Sequence, residues 1–172
     1  MLIRDAVGTD IPSITDIYNH AVVNTTAIWN DTEVDIANRD SWLADRTRLG
    51  YPVLVAVDAH GGVVGYASFG DWRAFDGYKH TVEHSVYVQV DQRGKGTGEK
   101  LMSALVERAR AIGKHVMVAG IEAENLGSLR LHEKLGFEHV GHLRQVGTKF
   151  GKWLDLAFMQ LTLDPGTSPN GR

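Results

Sequence analysis

No cysteine occurs among the 172 residues. Disulfides, thiol nucleophiles and zinc–thiolate centres are therefore excluded together. Long apolar runs are also missing. No stretch approaches the roughly 18 apolar residues of a membrane-spanning helix, and the start, Met1-Leu2-Ile3-Arg4-Asp5, lacks the apolar core and cleavage site of a secretory leader. The expectation is a cytoplasmic chain without a membrane partner. Positive charge is not in excess: 18 Lys and Arg against 21 Asp and Glu give a net charge of −3. With no basic stripe interleaved with aromatics, a nucleic-acid partner is not expected. Repeats and low-complexity tracts are absent as well. Ordinary fractions of hydrophobic (43%) and charged (23%) residues instead describe one domain with a full core, expected over residues 1–163, followed by a disordered tail at 164–172.

The periodicities give an ordered series of elements. A short strand at 2–6 precedes a helix that Asp10 and Pro12 open and that runs to about Asn24. Asp35 caps a second helix with Trp42, Leu43 and Leu49 on its inner side, ended by Gly50 and Pro52. Strands at 53–57 and 63–69 form a hairpin across His60-Gly61-Gly62. A longer strand covers 81–90, and a helix at 99–112 turns Leu101, Leu105, Ala109 and Ile112 inward until Gly113 stops it. A strand at 115–121, a helix opened by Asn125 and strands near 137–143 and 153–163 complete the chain. The order is βααβββαβαββ, an α/β (α+β) arrangement with a mixed central sheet flanked by helices.

Between the long strand and the third helix lies Gln92-Arg93-Gly94-Lys95-Gly96-Thr97-Gly98. Glycines let successive backbone N–H groups converge on one point, and the helix that follows adds the positive end of its dipole, so a pyrophosphate is the natural guest. The spacing fits neither a Walker A loop nor a dinucleotide fingerprint. Arg93-x-x-Gly96-x-Gly98 resembles the R/Q-x-x-G-x-G/A signature of the GNAT acetyltransferase superfamily. Further along, Asn125-Leu126-Gly127-Ser128-Leu129-Arg130-Leu131-His132-Glu133-Lys134-Leu135-Gly136-Phe137 resembles that superfamily's second signature, an Asn-opened helix ending in Gly-Phe. Asn125 is a suitable N-cap and Gly136 the expected left-handed residue at the far end. The resemblance covers nearly the whole chain, and it implies the GNAT fold. It also implies acetyl-CoA as co-substrate with no metal: the pyrophosphate on Arg93, Gly94, Lys95, Gly96, Thr97 and Gly98, the pantetheine arm along the backbone of Val86, Tyr87 and Val88, and Asn125 and Ser128 beside the arm.

His80-Thr81-Val82-Glu83-His84 has the H-x-x-E-H spacing of an inverted zinc-protease motif. That motif needs a helix, whereas these residues and Ser85-Val86-Tyr87-Val88 favour a strand, on which Glu83 faces away from both histidines. The strand reading gives Glu83 another use. An amine attacks a carbonyl through its lone pair, peptide α-amines titrate at about 7.7–8.0, and a partly buried carboxylate with a raised pKa can take the proton directly or through water. Glu83 is the expected general base. His132 stands where the family usually has a Tyr that protonates the departing thiolate, and is the candidate acid.

Substrate recognition is expected in Gly70-Asp71-Trp72-Arg73-Ala74-Phe75-Asp76-Gly77-Tyr78-Lys79, where Arg73 can clamp a carboxylate and Phe75, Asp76, Gly77 and Tyr78 can wall a small side chain. With Tyr18-Asn19-His20 and Gly147-Thr148-Lys149-Phe150-Gly151-Lys152-Trp153-Leu154-Asp155, this loop resembles the phosphinothricin N-acetyltransferase branch. That branch is typically homodimeric, and its resemblance implies that the loop at 149–153 could complete a neighbour's pocket. Phe75 replaces the basic residue expected in dedicated phosphinothricin enzymes, so the uncharged tetrahedral groups of methionine sulfone and methionine sulfoximine are expected to suit the site better than a phosphinate. The rival readings are a protein N-terminal or lysine acetyltransferase, and an acetyl-CoA-binding regulatory module without chemistry. Phe75→Arg is expected to shift preference toward phosphinothricin, read as the ratio of kcat/KM values for phosphinothricin and methionine sulfone.

Overall fold

The structure, a computed structural model, describes residues 1–166, 168 and 169. Its elements are strand β1 (Leu2–Asp5), helices α1 (Ile11–Asn24) and α2 (Ile36–Arg48), strands β2 (Val53–Val57), β3 (Val63–Asp71) and β4 (Thr81–Val88), helix α3 (Thr97–Ala111), strand β5 (Val116–Glu122), helix α4 (Leu126–Lys134), and strands β6 (Glu138–Lys149) and β7 (Lys152–Thr162). The order is the one read from the sequence. Seven strands form one sheet, ordered β1-β2-β3-β4-β5-β7-β6. All neighbours are antiparallel except β4 and β5.

Alternation along each strand divides the core into two layers. Leu54, Ala56, Ala67, Phe69 and Val82 pack with Leu101, Met102, Leu105 and Ala109 of α3, whereas Val53, Val55, Val57 and Tyr66 pack with Ile11, Ile14, Ile17 and Val22 of α1. Leu101, Met102 and Leu105 are fully buried, and each contributes about 1.5–3 kcal/mol by leaving water. Asp10, just before α1, is buried against Arg4 through bonds of 2.6 and 2.9 Å and accepts the Val7 N–H.

Several boundaries differ from the reading of the sequence. Leu49 and Ile112 cap α2 and α3 and are exposed rather than inward, because each helix ends one residue before them. Helix α3 begins at Thr97, not at 99, since Gly96 takes the left-handed conformation (φ 82°) as its N-cap and lets the first turn start earlier. Strand β4 ends at Val88 and gives way to a 3-10 turn at Val90–Gln92. Strand β3 runs on to Asp71, so Gly70 and Asp71 belong to the strand and the loop begins at Trp72. Strand β6 continues to Lys149, which reduces the expected loop at 149–153 to the tight turn of a β6–β7 hairpin. Of the expected tail, residues 167 and 170–172 lie outside the described residues.

Candidate active site

Strands β4 and β5 pair over three positions only, Thr81 with Val116, Val82 with Met117 and Glu83 with Val118. Beyond them β4 stays paired to β3 as far as Val88 and β5 stays paired to β7 as far as Glu122. The two halves of the sheet separate, and one edge of β4 is left without a strand partner. A cavity of about 920 Å³ fills this opening and joins the two faces of the sheet. On the α3 side it is lined by Val86, Val88, Gly98, Asn125, Ser128 and Leu131, and on the α1 side by Ala21, Thr25, Thr26, Ala27, Tyr87 and Phe150.

The glycine loop forms the cavity's floor on the α3 side. Arg93, Gly94, Gly96, Thr97 and Gly98 all line it, whereas Lys95 does not. Gly94 and Gly96 hold positive φ angles of 72° and 82°, which aim the amides that follow toward the start of α3. The Thr97 side chain is buried and directed to the Gln92 carbonyl, so this residue offers a guest its backbone N–H only. Arg93 Nε donates to the Val88 carbonyl (3.2 Å), tying the loop to the end of β4. Asn125 Oδ1 accepts the Ser128 N–H (3.1 Å) as the N-cap of α4. Its amide NH2 is the part left for a guest.

Glu83 faces the α1 side. Its neighbours across the sheet are Gly70 on β3 and Val118 on β5, and a Cβ at Gly120 would stand 3.1 Å from Glu83 Oε1. Gly120 thus leaves room for the carboxylate, while the Arg46 guanidinium occupies the space over Gly70. Burial pushes the Glu83 carboxyl above its usual range, and the Arg73 guanidinium pulls it part of the way back. Arg73 lies over the Trp72 ring (5.0 Å), and Trp72 meets Phe158 edge-on. Phe75 and Tyr78 are 75% and 42% exposed and stand outside the cavity's lining, with Asp76, Gly77 and Tyr78 in a 3-10 turn.

His132 is placed differently from the reading of the sequence. It is 1% exposed, outside the cavity's lining, with Nδ1 donating to the Ser128 carbonyl (2.7 Å). Its Nε2 therefore accepts from His84 Nε2 (2.9 Å), which leaves His84 Nδ1 buried without a partner. Phe137 packs edge-on against both rings. Burial holds both imidazoles below the ordinary range, His84 strongly, so the pair is neutral. No nitrogen of His132 is free toward the cavity.

Glu122 escaped the reading of the sequence. Buried at the end of β5, it lines the cavity and accepts from Thr26 Oγ1 (3.2 Å) and the Glu124 N–H (3.0 Å), joining the loop after α1 to the turn before α4. Among the described residues no group of three or more His, Cys, Asp or Glu could hold a metal ion. Among the described residues no helix is long and apolar enough to cross a membrane.

The separated strands, the glycine loop at the start of α3 and the element order coincide with a family model, Acetyltransferase (GNAT) family, that matches residues 14–137. The chain belongs to the GNAT acetyltransferase family. It is an acyltransferase with the mixed α/β GNAT fold. Among its GNAT relatives, the L-methionine sulfoximine/L-methionine sulfone acetyltransferase of Pseudomonas aeruginosa is 64% identical over 166 residues, covering 96% of each chain. A solved acetyltransferase of Salmonella typhimurium with acetyl-CoA superposes with a TM-score of 0.95 at 58% identity, over 98% of this chain and 96% of that one. A GNAT superfamily phosphinothricin acetyltransferase of Sinorhizobium meliloti, in complex with acetyl-CoA, gives a TM-score of 0.95 at 40% identity, over 99% and 92%.

The neutral histidine pair of this GNAT domain makes stability depend on pH. In the unfolded chain both rings take up protons near pH 6.5, whereas folding holds them neutral to lower pH. Their contribution is complete above pH 6.5 and is lost as pH falls below it, by up to about 1.36 kcal/mol per pH unit for each ring. Urea unfolding between pH 7.5 and 5.5 is expected to show this loss, with a shallower slope in His84→Phe.

Proposed function

We propose that the protein transfers the acetyl group of acetyl-CoA to the α-amine of a small amino-acid analogue, with methionine sulfone and methionine sulfoximine preferred and phosphinothricin weaker, by direct attack in a ternary complex. One observation carries this reading: the free edge of β4 begins immediately after Glu83, whose half-buried carboxylate lies outside the cavity's lining, as Arg73 does, but at the strand position where the opening for an extended thioester arm starts. The residues present fit that guest. The amides of 94–98 with Arg93 would hold its pyrophosphate, the edge of Val86, Tyr87 and Val88 its pantetheine arm, and Asn125 and Ser128 the opposite side; Lys95 adds positive charge at the rim. Acetyl-CoA supplies the activated acyl carbon. Glu83, its proton affinity raised by burial, takes the proton of the attacking amine on the α1 side.

Arg73, close enough to Glu83 to act on it electrostatically, receives the substrate carboxylate, and Phe75, Asp76, Gly77 and Tyr78 border the side chain. The protein is proposed to act in the cytoplasm as a homodimer, and the exposure of Phe75, Tyr78, Phe150 and Trp153 supports a second copy covering these surfaces. His132 is assigned to holding α4 against β4 through His84, because both its nitrogens are engaged.

Thiol release from acetyl-CoA is expected with methionine sulfone and sulfoximine, less with phosphinothricin, and not with a lysine peptide; turnover of the peptide alone would transfer the reading to a protein acetyltransferase. Glu83→Gln is expected to lower kcat/KM for the amine about 10²–10⁴-fold while leaving the KM for acetyl-CoA within about twofold. Full activity across the pH range would remove Glu83 as the base.

A further inference from the structure

The β6–β7 hairpin does not leave the sheet as a regular ribbon. Its register breaks between Leu143 and Gly147, where Gln145 adopts a positive φ of 52°. Asp155 holds this bulge, accepting the Gln145 N–H (2.8 Å) on one oxygen and meeting His142 Nε2 (2.8 Å) with the other. A bulge bends its strand, and here the hairpin tip meets the loop after α1. The Trp29 ring lies directly on Gly147, where a Cβ would come within 2.2 Å of it.

Two residues further on, Lys149 is 3% exposed, and its ammonium donates to the carbonyls of Val22 and Ile28. Val22 belongs to the last turn of α1, where carbonyls lack helical partners and favour a cation. The two carbonyls bracket Thr25, Thr26 and Ala27, the residues that wall the cavity on the α1 side. The next hairpin residue, Phe150, lines the same cavity and stands 5.2 Å from the ammonium. The hairpin tip therefore completes the cavity of its own chain, and Lys149 is the group that fixes both ends of the facing wall.

We propose that Lys149, with the Trp29–Gly147 contact beside it, is a positioning residue for the acceptor side of the cavity, setting the width available to the amine. This rests on the acetyl-transfer reading above. Among the described contacts Lys149 has none with the glycine loop, and the wall it holds reaches the turn before α4 only through Thr26 and Glu122, so the larger effect of its loss falls on the amine. Lys149→Met keeps the stem and removes the donors. Gly147→Ala displaces Trp29 and acts through the second contact. Both are expected to raise the KM for the amine about tenfold or more while the KM for acetyl-CoA stays within about twofold. In Lys149→Met, hydrogen exchange is expected to quicken at residues 24–30 and to be unchanged in α3 and α4. A parallel rise of both KM values, or amine KM values unchanged in both variants, overturns the proposal. If the wild-type protein acetylates none of the amines, the acetyl-transfer reading fails separately. The exchange comparison then decides: unchanged exchange at 24–30 overturns the role of Lys149 in holding that wall.

Discussion

The parting of β4 from β5 after Glu83 and Val118 is the constraint on which the rest of the structure depends. Each strand keeps its outer partner for its full length, β4 with β3 and β5 with β7. Twist then accumulates separately in the two halves of the sheet. The result is a strand edge exposed in the middle of a sheet, where an unpaired buried peptide group costs about 1–3 kcal/mol. Such an edge persists only if solvent or an extended guest satisfies it. The glycine loop, the first turn of α3 and the N-cap of α4 all converge on that opening, so one defect in pairing organises donors from three elements.

Alternation along β4 divides the labour. Val82, His84, Val86 and Val88 face α3 and α4, whereas Glu83 and Tyr87 face α1. A single strand thereby supplies a wall for a thioester on one face and a proton acceptor on the other. The setting of Glu83 is balanced. Burial makes its charge costly, and Arg73 offsets part of that cost without forming an ion pair with it among the described contacts. A tighter bridge would hold the carboxylate ionised and weaken it as a base. Gly120 leaves room for it, whereas the space over Gly70 is taken by the Arg46 guanidinium.

Local chemistry was legible in the sequence; contacts between distant segments were not. The glycine loop and the Asn125 helix declare themselves because their turns and caps are set by residues within one turn, although left-handed Gly96 shifted the start of α3 and Lys95 and His132 stand outside the cavity's lining. The start of β4 at Thr81–His84 was recoverable from its β-branched residues, which also separated Glu83 from His84, while His80 lies in the turn before the strand. The His84–His132 pair spans 48 positions and appears only when α4 packs on β4. Strand β6 was cut short because its second half is exposed, polar and interrupted by a bulge, so it lacks the alternation of a half-buried strand. Lys149 was read only as part of the loop at 149–153, because its partners are backbone carbonyls, which carry no residue-type signal.

The histidine pair limits the paths open to protons. His84 follows Glu83 in the chain yet lies on the opposite face, and its buried Nδ1 has no partner to pass a proton to. His132 is closed off by the Ser128 carbonyl on one side and His84 on the other. A proton taken by Glu83 thus has no side-chain relay across the sheet and returns to solvent on the α1 side, past Arg73. A departing thiolate on the α3 side is then reprotonated from water in the open cavity, which free thiols with a pKa of about 8.5 tolerate near neutrality. Both proton transfers of the proposed reaction belong to one acyl carbon in the gap between β4 and β5, and the buried imidazoles hold α4 against β4.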